Sequence, residues 1–329
     1  MRIALIKTSS MGDVIHAMPV VSDLMRALPA ARIDWIVEEA FAELPALQPQ
    51  VAEVVPVAVR RWRRAPLARS TRAEVRAVSQ RLRAAHYDHA LDLQGLLKSA
   101  WVARMTRAPV AGFARGSVRE PLAAWCYRDR FDVDPRLHAI ERLRSLAAQA
   151  FGYQVSGAPV FGLQAPHDDV PGLPAGDFAL LLHATSRAEK QWPDEAWCEL
   201  IGRIVAGGLR VALPWGSPAE RERAERLAAP HAGVCVLPRL NLRQCAAAID
   251  RARFVVGVDT GLTHLAAALD VPCVALFAAT PAWRFGPYWS ERSVSLGEQG
   301  RWPGPDEVFE TALRLGGLRR APQTAAGIA

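Results

Sequence analysis

Short runs rich in valine, isoleucine and leucine recur along this chain, and longer stretches with helical spacing separate them. Ile3–Lys7, Ile33–Val37, Val54–Val59 and Ala90–Leu93 are of the first kind. Val14–Leu28, Ala73–Ala84, Leu97–Arg107 and His138–Phe151 are of the second. A strand that is apolar on both faces has to be covered on both. Such alternation therefore predicts parallel sheets with helices on either side. Residues 153–177 break the pattern: they are rich in proline and glycine, hold no sustained period, and read as a linker. Alternation resumes at Phe178–His183 and runs through Val211–Pro214, Val234–Leu237, Phe254–Val258 and Val271–Phe277. Pro305–Leu318 reads as a closing helix before a loose tail, and the sequence leaves open whether it packs back on the first domain. The predicted fold is α/β, with two doubly wound, Rossmann-like domains (residues 1–160 and 161–329) facing a cleft. That cleft is the expected ligand site.

At 329 residues the chain can bury two cores. No apolar stretch reaches the roughly 20 residues of a membrane-spanning helix. The start, Met1 to Lys7, is too short and too soon polar for a secretory signal, so cytoplasmic residence is expected. The five cysteines are odd in number, widely spaced and without a C-x-x-C pair, which argues against disulfide frameworks and zinc ribbons. A formal charge of +7 favours an anionic partner: nucleic acid, an anionic membrane or a phosphorylated substrate.

The stretch Phe254-Val-Val-Gly-Val-Asp-Thr-Gly-Leu-Thr-His264 carries the most chemical information. An apolar run ends in Asp259-Thr260-Gly261 and a helical pattern follows at once, a strand–turn–helix unit. Its unpaired amides and positive dipole end suit a phosphate. His264 lies just inside that helix, placed either to donate to a ligand phosphate or to pack on the turn. At a second strand end, Thr185, Ser186 and Lys190 bring hydroxyls and a cation of the kind a departing diphosphate needs. Glu220, in Pro214-Trp-Gly-Ser-Pro-Ala-Glu220, stands where an acidic residue accepts from ribose hydroxyls, and equally where one caps a helix.

In the first half, Lys7-Thr-Ser-Ser-Met-Gly-Asp13 turns from strand to helix without G-x-G-x-x-G, and no G-x-x-x-x-G-K-[ST] occurs anywhere. Hydride-transfer enzymes and P-loop NTPases are disfavoured. Asp13 reads as an N-cap carboxylate, as a general base, or as both. The basic segment Arg60, Arg61, Trp62, Arg63, Arg64 follows a strand end. It reads as a clamp for phosphates and carboxylates or as a solvated loop. Lys98, Arg115, Arg119 and Arg142 can join it. Only Trp62 interleaves these arginines and no nucleic-acid module is present, so nucleic acid is not expected as a partner. Asp132-Val-Asp134 reads as a loop, and no metal is expected.

Taken in order, Lys7–Asp13, Arg60–Arg63, Asp92-Leu-Gln-Gly95, Arg119-Glu-Pro121, His183-Ala-Thr185, Lys190, Trp192-Pro193, Pro214-Trp-Gly216 and Val258–His264 resemble the ADP-heptose:lipopolysaccharide heptosyltransferase family. These are GT-B glycosyltransferases of Gram-negative bacteria, and the resemblance is to the members that add the first heptose. It spans residues 1 to about 280.

The resemblance implies inverting transfer of L-glycero-D-manno-heptose from ADP-heptose, as co-substrate, to the Kdo of Kdo-lipid A, without metal. The first domain would take the acceptor and the second the donor. Asp13 would be the base. Thr185, Ser186, Lys190, Asp259, Thr260, Gly261 and His264 would hold the diphosphate, Glu220 the ribose, and Leu240 would line the nucleotide pocket. Arg60, Arg61, Arg63, Arg64, Lys98 and Arg119 would hold the acceptor. A monomer is expected, and the basic segment at 60–64 is expected to draw it to the anionic cytoplasmic face of the inner membrane as a peripheral protein. Two other readings are a relative that adds a later core heptose and a non-catalytic nucleotide-sugar binder. Ser186 replaces a threonine, Leu240 a more flexible apolar side chain, and Ala278-Ala-Thr-Pro281 stands where Gly-Pro-Thr-x-Pro is expected.

Overall fold

The computed structural model describes residues 1–185 and 187–316; the expectations for Ser186 and for the tail lie outside the described residues. The chain divides into one unit of Met1–Gln164 and a second from Ala165 onward. Six strands build the first unit: β1 (Arg2–Ile6), β2 (Arg32–Glu38), β3 (Val51–Val57), β4 (His89–Asp92), β5 (Val110–Phe113) and β6 (Asp129–Phe131). Six more build the second: β7 (Phe178–Leu182), β8 (Arg210–Leu213), β9 (Val234–Val236), β10 (Phe254–Val258), β11 (Cys273–Leu276) and β12 (Ser293–Leu296). Every pairing is parallel.

The first sheet runs β3-β2-β1-β4-β5-β6 and the second β9-β8-β7-β10-β11-β12, the same order twice. In each, the direction of winding reverses between the first and fourth strands. A crevice opens at that reversal beyond the carboxyl ends of the two strands. The first unit's helices are α1 (Met11–His16), α2 (Met18–Ala27), α3 (Val59–Trp62), α4 (Arg69–Ala84), α5 (Leu97–Met105) and α6 (Ala139–Phe151). The second has α7 (Asp194–Ala206), α8 (Pro218–Ala228), α9 (Leu242–Arg251), α10 (Gly261–Ala268), α11 (Ala282–Phe285) and α12 (Pro305–Gly316).

Three features differ from the pattern read along the chain. The helical stretch from Val14 to Leu28 breaks at Ala17, because Pro19 has no amide to bond the preceding turn and α2 starts afresh with proline in its first turn. β5, β6 and β12 are three or four residues long, too short for a period to register, and β6 and β12 are sheet edges. The expected linker holds no regular structure but is not free. Arg144 donates to the carbonyls of Ser156 and Gly157, and Gln48 donates to that of Phe161. Beyond Gln164, Asp168 takes two hydrogen bonds from Arg243. The described part of α12 packs on α7, β10 and β11 of its own unit.

Candidate functional site

In the first unit the loop after β1 is bolted to the loop after β4. Gln94 Oε1 accepts from the amide of Thr8 at 2.8 Å and from its hydroxyl at 2.5 Å, and Gln94 Nε2 donates to Ser9 Oγ. Asp92, fully buried, accepts from the amides of Gln94 and Gly95, from Ser99 Oγ at 2.8 Å and from the Tyr127 hydroxyl at 2.7 Å. Gly95 completes this turn at φ +71°, a conformation a Cβ would strain. The Asp92–Gly95 motif is thus a bracket that fixes where the β1 loop leaves the sheet.

Asp13 ends that loop. It is not the N-cap residue expected from spacing: Ser10 is the N-cap, and Asp13, in the third helical position, reaches back. Its Oδ2 accepts from the Ser10 amide at 2.9 Å and the Ser10 hydroxyl at 2.8 Å. Oδ1 lies 3.9 Å from Lys7 Nζ. Burial opposes the carboxylate's charge, but the Lys7 ammonium, the two Ser10 bonds and His16 outweigh it and draw its pKa down to about 2. Asp13 is an ionised acceptor at any physiological pH. Lys7 Nζ donates to the carbonyl of Leu93, and burial pushes its pKa down, with Arg119 and Arg142 adding to the effect.

The structure brings Lys98 and Arg119 toward this loop and splits the basic segment. Lys98 Nζ donates to Ser9 Oγ at 2.8 Å. Burial lowers the Lys98 pKa, and Arg60 and Arg63 add to that, so the three cations are neighbours. Arg60 stacks over the Phe41 ring, and Arg63 and Arg64 are exposed. Arg61 is already engaged by Glu39 and by Glu74 at 2.8 Å, which makes it a poorer acceptor ligand than sequence suggests.

In the second unit the loops after β7 and β10 meet at that sheet's reversal point. Asp259 is their hub. Its Oδ2 accepts from Lys190 Nζ and from Thr280 Oγ1, each at 2.5 Å, and Oδ1 lies 3.1 Å from His264 Nε2. Burial raises the Asp259 pKa, yet His264, Lys190 and Thr280 together bring it well below the usual carboxylate range. The Asp259 amide bonds the Leu276 carbonyl within the sheet, and its carboxylate holds Lys190 and His264 in place. The start of α10 offers open amide donors. Its Thr263 and His264 amides bond the Thr260 carbonyl, while those of Gly261 and Leu262 have no acceptor among the described residues. The helix can start so close to the strand because Gly257 has no side chain: a Cβ there would lie 2.1 Å from Thr263 Oγ1.

Thr185 is half-buried in the loop that follows β7. Glu220 caps α8, its Oε2 accepting from the amides of Gly216 at 2.7 Å and Ser217 at 3.1 Å. Leu240 is half-buried and packs on Val170, Ala247 and Ala248. Two residues with a part in the site escape sequence reasoning. Thr280 sits in the divergent loop after Phe277, where a Thr-Pro pair is the only local signal. Arg223 holds the β7 loop through the carbonyls of His183 and Trp192, each at 2.7 Å, and through Asp194.

His183 is fully buried with neither ring nitrogen in a hydrogen bond of ordinary geometry. Burial, then Arg223, lower its pKa from 6.5 to about 4. Between those values the unfolded chain takes a proton that the folded one refuses. Stability should therefore fall as pH drops from about 6.5 to 4, by on the order of 3 kcal/mol from this group. Melting of His183→Gln across that window should show a shallower slope than the parent, and equal slopes would refute the assignment.

Among the described residues, no three His, Cys, Asp or Glu side chains gather to hold a metal ion. A family model described as glycosyltransferase family 9 (heptosyltransferase) matches residues 75–313. Lipopolysaccharide heptosyltransferase 1 of Pseudomonas aeruginosa is 48% identical over 301 residues, spanning 90% of this chain and 84% of that protein. Its namesake in Escherichia coli K12 is 43% identical over 302 residues, 89% of this chain and 93% of that one. Among solved structures, E. coli heptosyltransferase WaaC with ADP superposes with a TM-score of 0.88 at 38% identity, covering 96% of this chain and 100% of that chain. The same enzyme with ADP-2-deoxy-2-fluoro heptose gives 0.82 at 39% identity, covering 95% and 98%. By the extent of the family match and these identities, the chain belongs to glycosyltransferase family 9, the heptosyltransferases.

Proposed function

We propose that this glycosyltransferase moves L-glycero-D-manno-heptose from ADP-heptose to the Kdo residue of Kdo-lipid A, with inversion at the anomeric carbon, in building the inner core of lipopolysaccharide. The Lys190–Asp259–Thr280–His264 cluster, set against the open amides of α10, carries the reading. It is a site for a diphosphate whose charge grows as it leaves. WaaC, similar over nearly the whole chain, is described with ADP and with a fluorinated ADP-heptose.

Asp13 accepts the proton of the Kdo hydroxyl while that oxygen forms a bond to the heptose anomeric carbon. The bond from that carbon to the β-phosphate oxygen breaks, and ADP departs with the electron pair. Lys190 leaves Asp259 for the diphosphate and offsets part of the charge that develops there, a task some enzymes give to a metal ion. Thr185, Ser186, Thr260, Gly261 and His264 complete the diphosphate site, Glu220 takes the ribose and Leu240 lines the nucleotide pocket. On the acceptor side Arg60, Arg63, Arg64, Lys98 and Arg119 hold phosphates and Kdo carboxylates, and Arg61 braces the segment through Glu39 and Glu74. No helix among the described residues is long and apolar enough to cross a membrane. The enzyme works as a monomer, peripheral on the cytoplasmic face of the inner membrane.

Incubation with ADP-heptose should release ADP only when Kdo-lipid A is present, and the glycolipid should gain the mass of one heptose. Release that requires an acceptor already carrying heptose would move the protein to a later step. ADP binding without release on either acceptor would make it a binder and reject the reading.

A further inference from the structure

The first unit carries an apolar groove of about 1060 Å³ between α4 and α5, bordering the Asp13 loop through Lys98. Trp62, Pro66, Val75, Leu97 and Trp101 form its apolar wall, and Trp62 meets Trp101 edge-on at 6.2 Å. Its polar lining is one-sided: Arg63, Arg72, Arg76, Arg83 and Lys98 against Glu120 alone. Residues 72, 76, 79 and 83 follow each other by three or four places, so one face of α4 supplies the rim. Arg72, Arg76 and Arg83 make no ion pair among the described residues, whereas Arg81, on the same helix, is paired with Glu53 at 2.7 Å.

The neighbouring surface extends the apolar character. A 3-10 helix, Pro121–Cys126, packs on α5, and the Leu97 amide donates to Glu120 just before it. Leu122 and Trp125 on this turn are 63% and 71% exposed, Trp101 and Leu97 44% each, and Leu67 beside the groove 82%. A single exposed leucine means little. Five large apolar side chains on adjoining elements, bordered by unpaired arginines, mark a contact surface.

We infer that this face, formed by α4, α5 and the 3-10 helix, is where the protein docks on an anionic phospholipid bilayer. The inference deepens the peripheral location proposed above and moves the contact from the 60–64 segment to α4. Leu67, Leu97, Trp101, Leu122 and Trp125 enter the boundary between headgroups and acyl chains, a depth that suits indole rings with their apolar body and polar tip. Arg72, Arg76 and Arg83 meet the phosphates around them. A protein partner would more commonly bring acidic and apolar groups in a fixed array. Unpaired arginines spaced along a whole helix face match a fluid anionic surface, which needs no such register.

Binding is measured by flotation with vesicles, without donor or acceptor, so that the result stands whether or not heptose transfer is confirmed. Wild-type protein should float with phosphatidylglycerol–phosphatidylethanolamine vesicles and much less with phosphatidylcholine alone. Arg72→Glu with Arg76→Glu should weaken binding by roughly an order of magnitude or more, while the paired lysine substitutions retain it. Leu122→Ser with Trp125→Ser should reduce binding by about tenfold or more and remove the part that survives high salt. All variants should keep parental melting temperatures and parental turnover on a soluble, deacylated acceptor. Binding that ignores lipid charge, or variants that float like the parent, would overturn the proposal.

Discussion

Replacing Asp13 by asparagine is expected to lower turnover about 10²–10⁴-fold while ADP-heptose binding stays near that of the parent protein. Asparagine keeps an oxygen for the Ser10 amide, so the start of α1 should hold and melting should change little. What disappears is the anionic proton acceptor. With its carboxyl pulled down to about 2, Asp13 is a weak base toward a free hydroxyl. The attacking hydroxyl becomes acidic only as its oxygen bonds to the anomeric carbon, so proton transfer comes late in the step. The acid limb of the pH–rate profile between pH 4 and 7 should then belong to another group. Near-normal turnover of the asparagine variant would remove Asp13 from the chemistry. A variant that lost donor affinity as well would point to a structural role instead.

Lys190→Ala should cost about 10²–10³-fold in turnover and weaken ADP as well, since the ammonium opposes charge that is present in the donor and grows in the transition state. The substitution also leaves Asp259 with only Thr280 and His264. A carboxylate stripped of a cation beside an incoming diphosphate is repulsive, so part of the loss would be electrostatic interference. Lys190→Ala combined with Asp259→Asn separates the two effects. If Asp259 acts only by aiming Lys190, the double variant should bind ADP better than Lys190→Ala alone. An additive loss would mean that Asp259 contacts the donor directly. Unchanged kinetics in Lys190→Ala would reject the diphosphate site itself.

Most of the framework is legible in the residue order. Nine of the twelve strands follow from apolar runs, β7 and β10 among them, because a strand buried on both faces writes its burial into consecutive residues. The strand–turn–helix at 254–264 was readable for the same reason, and Gly257 is there because α10 starts against the strand. β6, with two of its three residues exposed, writes no such pattern. The positions of Asp13, Lys190 and His264 at the ends of first and fourth strands followed once the alternation was recognised.

Their partners did not follow. Lys190 and Asp259 are 69 residues apart, Gln94 and Thr8 are 86 apart, and Arg61 reaches Glu39 and Glu74 in opposite directions along the chain. Local spacing encodes which residues are helical or extended, since neighbours along the chain share hydrogen-bond ladders and one buried face. It therefore determined the two repeated sheets and the loops that bear the chemistry. Which cation is spent on an internal carboxylate and which stays open to a ligand depends on contacts between distant segments. Only folding brings Arg61 to its two glutamates while leaving Arg72, Arg76 and Arg83 unpaired, because charge pairing is decided by distances of a few ångströms that the order of residues does not contain.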